Sequence, residues 1–389
     1  MITEATLYLA TAADADGALL RVAGQPVAFR ALDAVVRAGC LRVTVPARFR
    51  GTAVERAIAA SPSARAATIW LEGQAGPPGG PSLLVPAAAL VSAADLHRIV
   101  RGGSAMVLAP PDARAPIVAA DAALTGALWS EIRSERPLVP TLQPLLDDRA
   151  SQRSSADWYV HVTSARAARE AETLLYGTLG TPIDTPLDTV FHRRLSRPLT
   201  RLAIAVGLTA NQVSILSLLV GLLAVWGFWH ATPASAVVGL LLYAMSVVLD
   251  HSDGEIARLT LSESRLGEWL DMASDTVIHA LFVLAMGASA QQTAGHGAGG
   301  LGVLAAIGVV VSAMLSKTSP RSAGRGLGGF LDALGSRDGF YGMLIGFIFA
   351  LACAPSVLPF LMGIVAVGAH AYWVTRLVYR LFSREPIRT

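Results

Sequence analysis

Between Val206 and Val378 the chain passes through six apolar stretches, and no other feature restricts its fold so tightly. They run Val206–Trp229, Ser235–Leu249, Leu270–Ser289, Leu301–Leu315, Phe340–Ala354 and Leu358–Val378. A helix needs about 20 residues to cross a bilayer, and the shorter stretches reach that length once their flanking polar residues are counted. Hydrocarbon offers the backbone no hydrogen-bond partner, so such stretches must pair their own N–H and C=O groups as helices. The 389 residues are 53% hydrophobic and 15% charged, with a mean hydropathy of +0.51. That is too apolar for an ordinary soluble chain. The apolarity is uneven: up to Arg194 the chain mixes charged and apolar residues as a soluble domain does.

The basic residues alternate with the spans. The connections "HATPAS", "QQTAGHGAGG" and "CAPSVLP" hold none. The other edges hold Arg193, Arg194, Arg197 and Arg201; Arg258 and Arg265; Lys317, Arg321, Arg325 and Arg337; and Arg376, Arg380, Arg384 and Arg388. Cytoplasmic connections concentrate Lys and Arg. The pattern therefore predicts an integral protein of the inner or plasma membrane, with both termini and the aspartate-rich connection in the cytosol. The first residues lack the basic flank and continuous apolar run of a secretory signal. A net charge of +3 gives no reason to expect nucleic acid as a partner. Cys40 and Cys353 fall in different halves, which argues against a disulfide. The segment "FHRRLSRPLTRL" reads as an amphipathic helix in the interface with its arginines toward lipid phosphates, or as a plain positive-inside anchor.

Residues 1–180 alternate short apolar runs with helical spacing. "ATLYLAT", "LRVTVPA", "AATIWLE", "SLLVPAA" and "AMVLAP" read as strands; "VAFRALDAVVRAG", "TAVERAIAAS" and "AADLHRIVRG" read as helices. The alternation predicts a cytosolic α/β, Rossmann-like domain: a parallel sheet with helices on both faces. "EGQAGPPGGP" reads as a loop and "SERPLVPTLQPLLDDRASQRSSAD" as irregular. "WYVHVTSARAAREAETLLYG" reads as a last strand and helix. Residues 181–389 are expected to form a helical membrane bundle of six spans behind the interfacial helix.

The chemistry-bearing stretch is "LDHSDGEIARLTLSESRLGEWLDMASDTV", Leu249 to Val277. Asp250 and Asp253 are spaced i, i+3, and Asp271 and Asp275 i, i+4, so each pair shares a helix face. Carboxylates near hydrocarbon persist when they pair, bind a cation or line a polar cavity. Clustered carboxylates repel one another unless cations neutralise them, and hard oxygen donors favour Mg²⁺ or Mn²⁺. Two such ions suit phosphoryl chemistry. Gly254 and Gly267 would admit a ligand or a neighbouring helix. Arg258, eight residues after Asp250, returns to nearly the same face and is suited to a diphosphate.

Asp250-x-x-Asp253-Gly254-x-x-Ala257-Arg258, then eight residues, then Gly267-x-x-x-Asp271-x-x-x-Asp275, resembles the signature of the CDP-alcohol phosphotransferases at every fixed position. The resemblance covers about residues 184–380. It implies a six-span homodimer that transfers a phosphatidyl group from a CDP-alcohol, CDP-diacylglycerol in the usual case, to an alcohol or polyol-phosphate acceptor, releasing CMP in phospholipid biosynthesis. It implies two divalent cations, Mg²⁺ or Mn²⁺, on Asp250, Asp253, Asp271 and Asp275, with Asp275 also the base. Gly254, Ala257, Arg258 and Gly267 would shape the cytidine diphosphate site. The family's Thr-Pro-Asn motif appears as "LTANQVS", with Ala210 in the proline position. Asn211 then either contacts the nucleotide or a metal shell, or caps a helix. His279 either supports the site or packs; His251, at a variable position, receives no role. Arg337 and Asp338 either bind the acceptor or anchor a helix. Arg193, Arg194 and Arg197 are candidates for a phosphorylated acceptor or lipid headgroups. A transporter that uses the same carboxylates is the reading from a different class.

The N-terminal half more distantly resembles a sugar-phosphate nucleotidyltransferase, a domain found ahead of this transferase in bifunctional enzymes that first make CDP-inositol. Its working parts are absent. "ATAADADGALL" lacks the glycine-rich, arginine-bearing phosphate cradle, and Pro86 to Ala89 stand where a metal-binding Gly-Asp is expected. A degenerate, non-catalytic domain is expected; the bifunctional enzyme is the alternative.

Overall fold

The computed structural model describes residues 2–72, 76–102, 107–108, 115–147, 153–154, 158–180, 184–295, 297–316 and 336–382. The chain forms two compact units, Met1–Leu179 with Leu259–Leu261, and Gly180–Arg258 with Ser262–Thr389.

The first unit is built from strands β1 (Glu4–Tyr8), β2 (Arg21–Val22), β3 (Gln25–Pro26), β4 (Arg42–Val45), β5 (Thr68–Trp70), β6 (Ser82–Pro86), β7 (Ala89–Val91), β8 (Val107–Leu108), β9 (Ile117–Ala120), β10 (Arg153–Ser154) and β11 (Tyr159–His161). Its helices are α1 (Asp14–Gly17), α2 (Val27–Arg37), α3 (Ala53–Ala60), α4 (Pro62–Ala67), α5 (Ala93–Gly102), α6 (Ala122–Arg133), α7 (Val139–Asp147) and α8 (Ala165–Gly177). Seven strands make one sheet in the order β10-β8-β9-β6-β1-β4-β5. Leu7, Val43, Leu83 and Val85 from its centre are fully buried, together with Leu32 and Val35 of α2. Central strands covered on both faces read as continuous apolar runs, as "ATLY" does.

The sheet is mixed, which corrects the parallel expectation: β9 runs antiparallel to both β6 and β8. A parallel connection needs a crossover of a dozen or more residues, and residues 109–116 are too few. β11 also leaves the main sheet to pair with β7. The segment expected to be irregular contains α7, which tolerates Pro144 inside its nine residues.

The second unit begins with a π-helical turn, Asp188–His192, that leads into α9 (Arg193–Ala205). Among the described residues six helices follow: α10 (Ala210–Trp229), α11 (Pro233–Thr260), α12 (Arg265–Ala294), α13 (Ala298–Ser316), α14 (Arg337–Cys353) and α15 (Leu358–Phe382). Five are long and apolar enough to cross a membrane, over Ala210–Trp229, Pro233–Thr260, Arg265–Ala294, Ala298–Leu315 and Pro355–Thr375. The fifth predicted span is the 17-residue α14, shorter than the usual crossing length. Lys317, Arg321, Arg325, Arg384 and Arg388 lie outside the described residues, as do the side chains of Arg376 and Arg380.

Small residues set the helix spacing. A Cβ on Gly287 would stand 2.6 Å from Gly302 Cα, and one on Gly227 would stand 2.9 Å from Gly239 Cα. The α12–α13 and α10–α11 backbones therefore touch, the close packing available where no hydrophobic drive between helices exists. Aromatic rings fill the bundle: Phe228 of α10 meets Phe282 of α12 edge to face at 5.2 Å, and Tyr243 of α11 meets Phe282 at 5.1 Å.

Candidate active site

The apolar run of the second span ends at Leu249, but α11 continues to Thr260 and carries the whole first half of the aspartate signature on helix. Buried Ile256 extends the apolar stripe, and Glu255 is tied down as described below. Ser264 then caps α12, its hydroxyl accepting from Gly267 N at 3.0 Å, so Asp271 lies in the second turn. One carboxylate oxygen each from Asp250, Asp253 and Asp271 lies within 4.8 Å of the others. Asp275 is outside that trio, one turn further along α12, and lines the same cavity of about 1710 Å³. Asp253 Oδ2 is buried with no hydrogen-bond partner. Converging oxygen donors with a starved acceptor fit a hard divalent cation, and they are costly without one.

The glycines of the signature make room for polar side chains. A Cβ on Gly254 would approach Arg258 Nη1 at 3.3 Å, and one on Gly267 would sit 3.4 Å from Asn211 Oδ1. Arg258 lines the cavity, and its Nε is buried without a hydrogen-bond partner. Ala257 and Asn211 also line it. Asn211 is not the cap of α10. Thr209 is, in a reciprocal capping box with Gln212, which accounts for the Thr of the altered motif and leaves Asn211 facing the cavity.

On another face of α11, Glu255 is fully buried. It accepts from Arg193 Nη1 at 2.8 Å, Ser196 Oγ at 2.8 Å and Thr200 Oγ1 at 2.7 Å. Arg193 also forks onto Asp184 at 3.0 and 2.9 Å. Burial would weaken the Arg193 guanidinium's hold on its proton, but its bonds to Asp184 and Glu255 outweigh that and raise its pKa. The buried stripe of α9 is thus polar, and Arg193 is taken up inside the protein rather than offered to lipid.

A second polar cluster abuts the aspartates. Asp188 Oδ1 lies 2.9 Å from His192 Nδ1 and 2.8 Å from His251 Nε2, and accepts from Arg337 Nη1 at 3.3 Å. Thr185 N donates to Oδ2 at 3.0 Å. Burial pushes the Asp188 carboxyl up, but the His192, His251 and Thr185 hydrogen bonds and the Arg337 charge overcome it and hold it far below the usual carboxylate range. Arg337 Nη2 reaches across to Asp250 Oδ2 at 3.0 Å. His192 Nε2 meets Tyr341 OH at 3.0 Å. His279 is engaged at both nitrogens, by the Asp275 carbonyl at 2.7 Å and Tyr243 OH at 3.0 Å, and it lines the cavity.

Asp188, His192, Glu255 and Tyr341 escaped the sequence reading, and His251 had no role in it. The i, i+4 spacing of Asp188 and His192 on one helix face was the available signal.

In the N-terminal unit the loop after β1 is closed on itself. Asp14 is fully buried; its Oδ2 accepts from Ala10 N at 3.0 Å and its Oδ1 from Thr11 N at 3.1 Å and Thr11 Oγ1 at 2.6 Å. His161 Nε2 stands 3.0 Å from Oδ1. Ala87 and Ala88, beyond β6, are fully buried and offer no side-chain ligand.

Residues 207–323 match the family model of the CDP-alcohol phosphatidyltransferases. The chain is 32% identical over 99 residues to a bifunctional IPC transferase and DIPP synthase of Archaeoglobus fulgidus, covering 25% of this chain and 19% of that protein. It is 33% identical over 82 residues to a CDP-diacylglycerol–serine O-phosphatidyltransferase of Mycobacterium leprae, covering 21% of this chain and 26% of that protein. It thus spans about a quarter or less of these relatives. The crystal structure of Mycobacterium tuberculosis phosphatidylinositol phosphate synthase with CDP-DAG bound aligns with 50% of this chain and 98% of its own, at 20% identity and a TM-score of 0.39. The aspartate signature lies inside the residues of the helical unit that match the CDP-alcohol phosphatidyltransferase model.

Proposed function

We propose that the chain is a membrane CDP-alcohol phosphotransferase that joins a phosphatidyl group from CDP-diacylglycerol to an alcohol acceptor and releases CMP. One observation carries this reading: Asp250, Asp253 and Asp271 converge within 4.8 Å in a cavity that Asp275, Arg258 and Asn211 also line. Asp250, Asp253, Asp271 and Asp275 would hold two divalent cations, Mg²⁺ or Mn²⁺, which when bound neutralise the diphosphate and polarise the reacting oxygens. Arg258 faces the diphosphate, and Gly254, Ala257 and Gly267 leave space for the nucleotide. Asp275 takes the acceptor's hydroxyl proton. The acceptor oxygen bonds to the phosphatidyl phosphorus, the bond from that phosphorus to the bridging oxygen breaks, and CMP leaves with the electron pair.

The cavity favours a lipid donor. Beside the aspartates its lining includes the apolar Val309, Met343, Leu361, Ile364 and Val365. The acceptor is an alcohol or polyol phosphate. Two arginines of the cavity rim are already committed, Arg193 to Asp184 and Glu255 and Arg337 to Asp188 and Asp250, which leaves Arg258 the cavity cation with the weaker claim on it. We read α14 as the sixth span, the termini and site as cytosolic, and the assembly as a homodimer. The N-terminal domain, residues 1–180, is read as non-catalytic, because Asp14 fills the amide donors of the β1 loop.

The test is CMP release from CDP-diacylglycerol by the purified full chain with Mn²⁺ or Mg²⁺, across neutral and phosphorylated acceptors, with lipid products identified by mass spectrometry. Metal-dependent CMP release with a new phosphodiester is expected. Its absence with every acceptor would refute the transferase. Pyrophosphate release from CTP and a polyol phosphate by the same protein would restore the bifunctional alternative.

A further inference from the structure

Arg337 and Asp188 lie outside the aspartate signature, yet the first touches one of its members. Arg337 opens α14, whose first turn is pinned by Ser336, its hydroxyl accepting from Gly339 N at 3.2 Å. Asp188 sits in the π turn before α9, and Asp250 on α11. Three separate segments therefore meet at one guanidinium. Its Nη2 donates to Asp250 Oδ2 at 3.0 Å and its Nη1 to Asp188 Oδ1 at 3.3 Å. His251 Nε2 lies 2.8 Å from both Arg337 Nη1 and Asp188 Oδ1. The Asp188 side chain is 4% exposed and that of Arg337 20%.

Such a cluster has a consequence for Asp250. A carboxylate among like charges has no reason to hold one orientation, and metal ligands need theirs fixed by outer partners. Arg337 takes one oxygen of Asp250 and so sets the plane of the group. A bare cation touching a ligand would also compete with a bound metal. Asp188 offsets that by drawing the guanidinium charge to its other side, and it is itself held by His192 and His251. The same contacts occupy the guanidinium's fork, so Arg337 is poorly placed to grip an anionic acceptor.

We infer that Arg337 and Asp188 are positioning residues that orient Asp250 for metal binding, and that Arg337 is not an acceptor-binding group. This rests on the reading of Asp250 as a metal ligand. The test is direct Mn²⁺ binding to the purified full chain, followed by the paramagnetic resonance of free Mn²⁺, beside steady-state transfer. Arg337→Gln and Asp188→Asn should each weaken Mn²⁺ binding by about 10- to 100-fold, the range for outer-shell partners. The kcat at saturating Mn²⁺ should recover, and the KM for acceptor should hold. Arg337→Lys, which keeps the charge but loses the fork, should fall between wild type and Arg337→Gln. Thermal unfolding identifies which variants fold; if Arg337→Gln does not, Arg337→Lys and Asp188→Asn carry the test. Folded variants with wild-type Mn²⁺ affinity, or a raised acceptor KM with unchanged Mn²⁺ binding, would overturn the inference. Asp250→Asn separates the two levels: if it binds Mn²⁺ like wild type, the ligand reading itself fails.

Discussion

Asp14 and Asp253 are both buried carboxylates, and they live in opposite circumstances. Asp14 has two backbone amides, a hydroxyl and an imidazole around it. Asp253 has an oxygen with no donor at all and two other carboxylates close by. A satisfied carboxylate holds a loop shut; a starved one is costly to fold around and persists where something else is meant to arrive. Burial alone does not mark a functional acid. The supply of donors does, and by that measure Asp14 is a structural acid and Asp253 a candidate ligand.

The sharpest way to break this contrast is to exchange what each acid does. Asp275→Asn should lower transfer by about 10²- to 10⁴-fold, the usual worth of a general base, measured as CMP release, with the fold retained. Next comes the metal. Mn²⁺ at 100 times its dissociation constant should stabilise the wild type by about 2.7 kcal/mol, seen as a higher melting temperature that a chelator reverses. Asp253→Asn should lose that rise and melt above wild type in chelator, because one of three repelling charges is gone. Asp14→Ala should do the reverse: it costs about 1–3 kcal/mol of stability through its orphaned donors, while the transfer rate of the folded protein holds. If Asp14→Ala melts like wild type, the two acids do not differ as described.

The smallest effect is a pH dependence. The Asp188 carboxyl titrates far below its ordinary range in the folded protein, against about 3.9 when unfolded. A lowered folded value contributes stability that is complete above the unfolded pKa and is lost as pH falls toward the folded one. The melting difference between wild type and Asp188→Asn should therefore be level from about pH 5 to 8 and shrink below about pH 4.

The sequence displayed what is local and periodic. The aspartate spacing, the apolar runs and the strand-helix alternation around α2, α3 and α5 are all of that kind. It concealed what is assembled at a distance. Arg337 lies 149 residues from Asp188 and 87 from Asp250, and no periodicity links them. The run "IVAA" of β9 went unread because it is short, although Asp121, capping α6 through Leu124 N at 2.7 Å, marks its end. Two prolines disguised α7. The apolar run ended at Leu249 while the helix ran on to Thr260, because the charged letters only marked where its surroundings turn polar.

The cavity lining combines the aspartates with apolar residues such as Leu361 and Ile364. On the proposed transferase reading, an acceptor that reaches the aspartates is counted in moles per litre of water. A lipid donor whose chains met the apolar lining would be drawn from the bilayer and counted per area of membrane. The rate then depends on two concentrations of different dimension. Adding inert lipid at constant total donor thins one of them without altering the other, so a Michaelis constant for the donor has meaning only as a mole fraction of the surface.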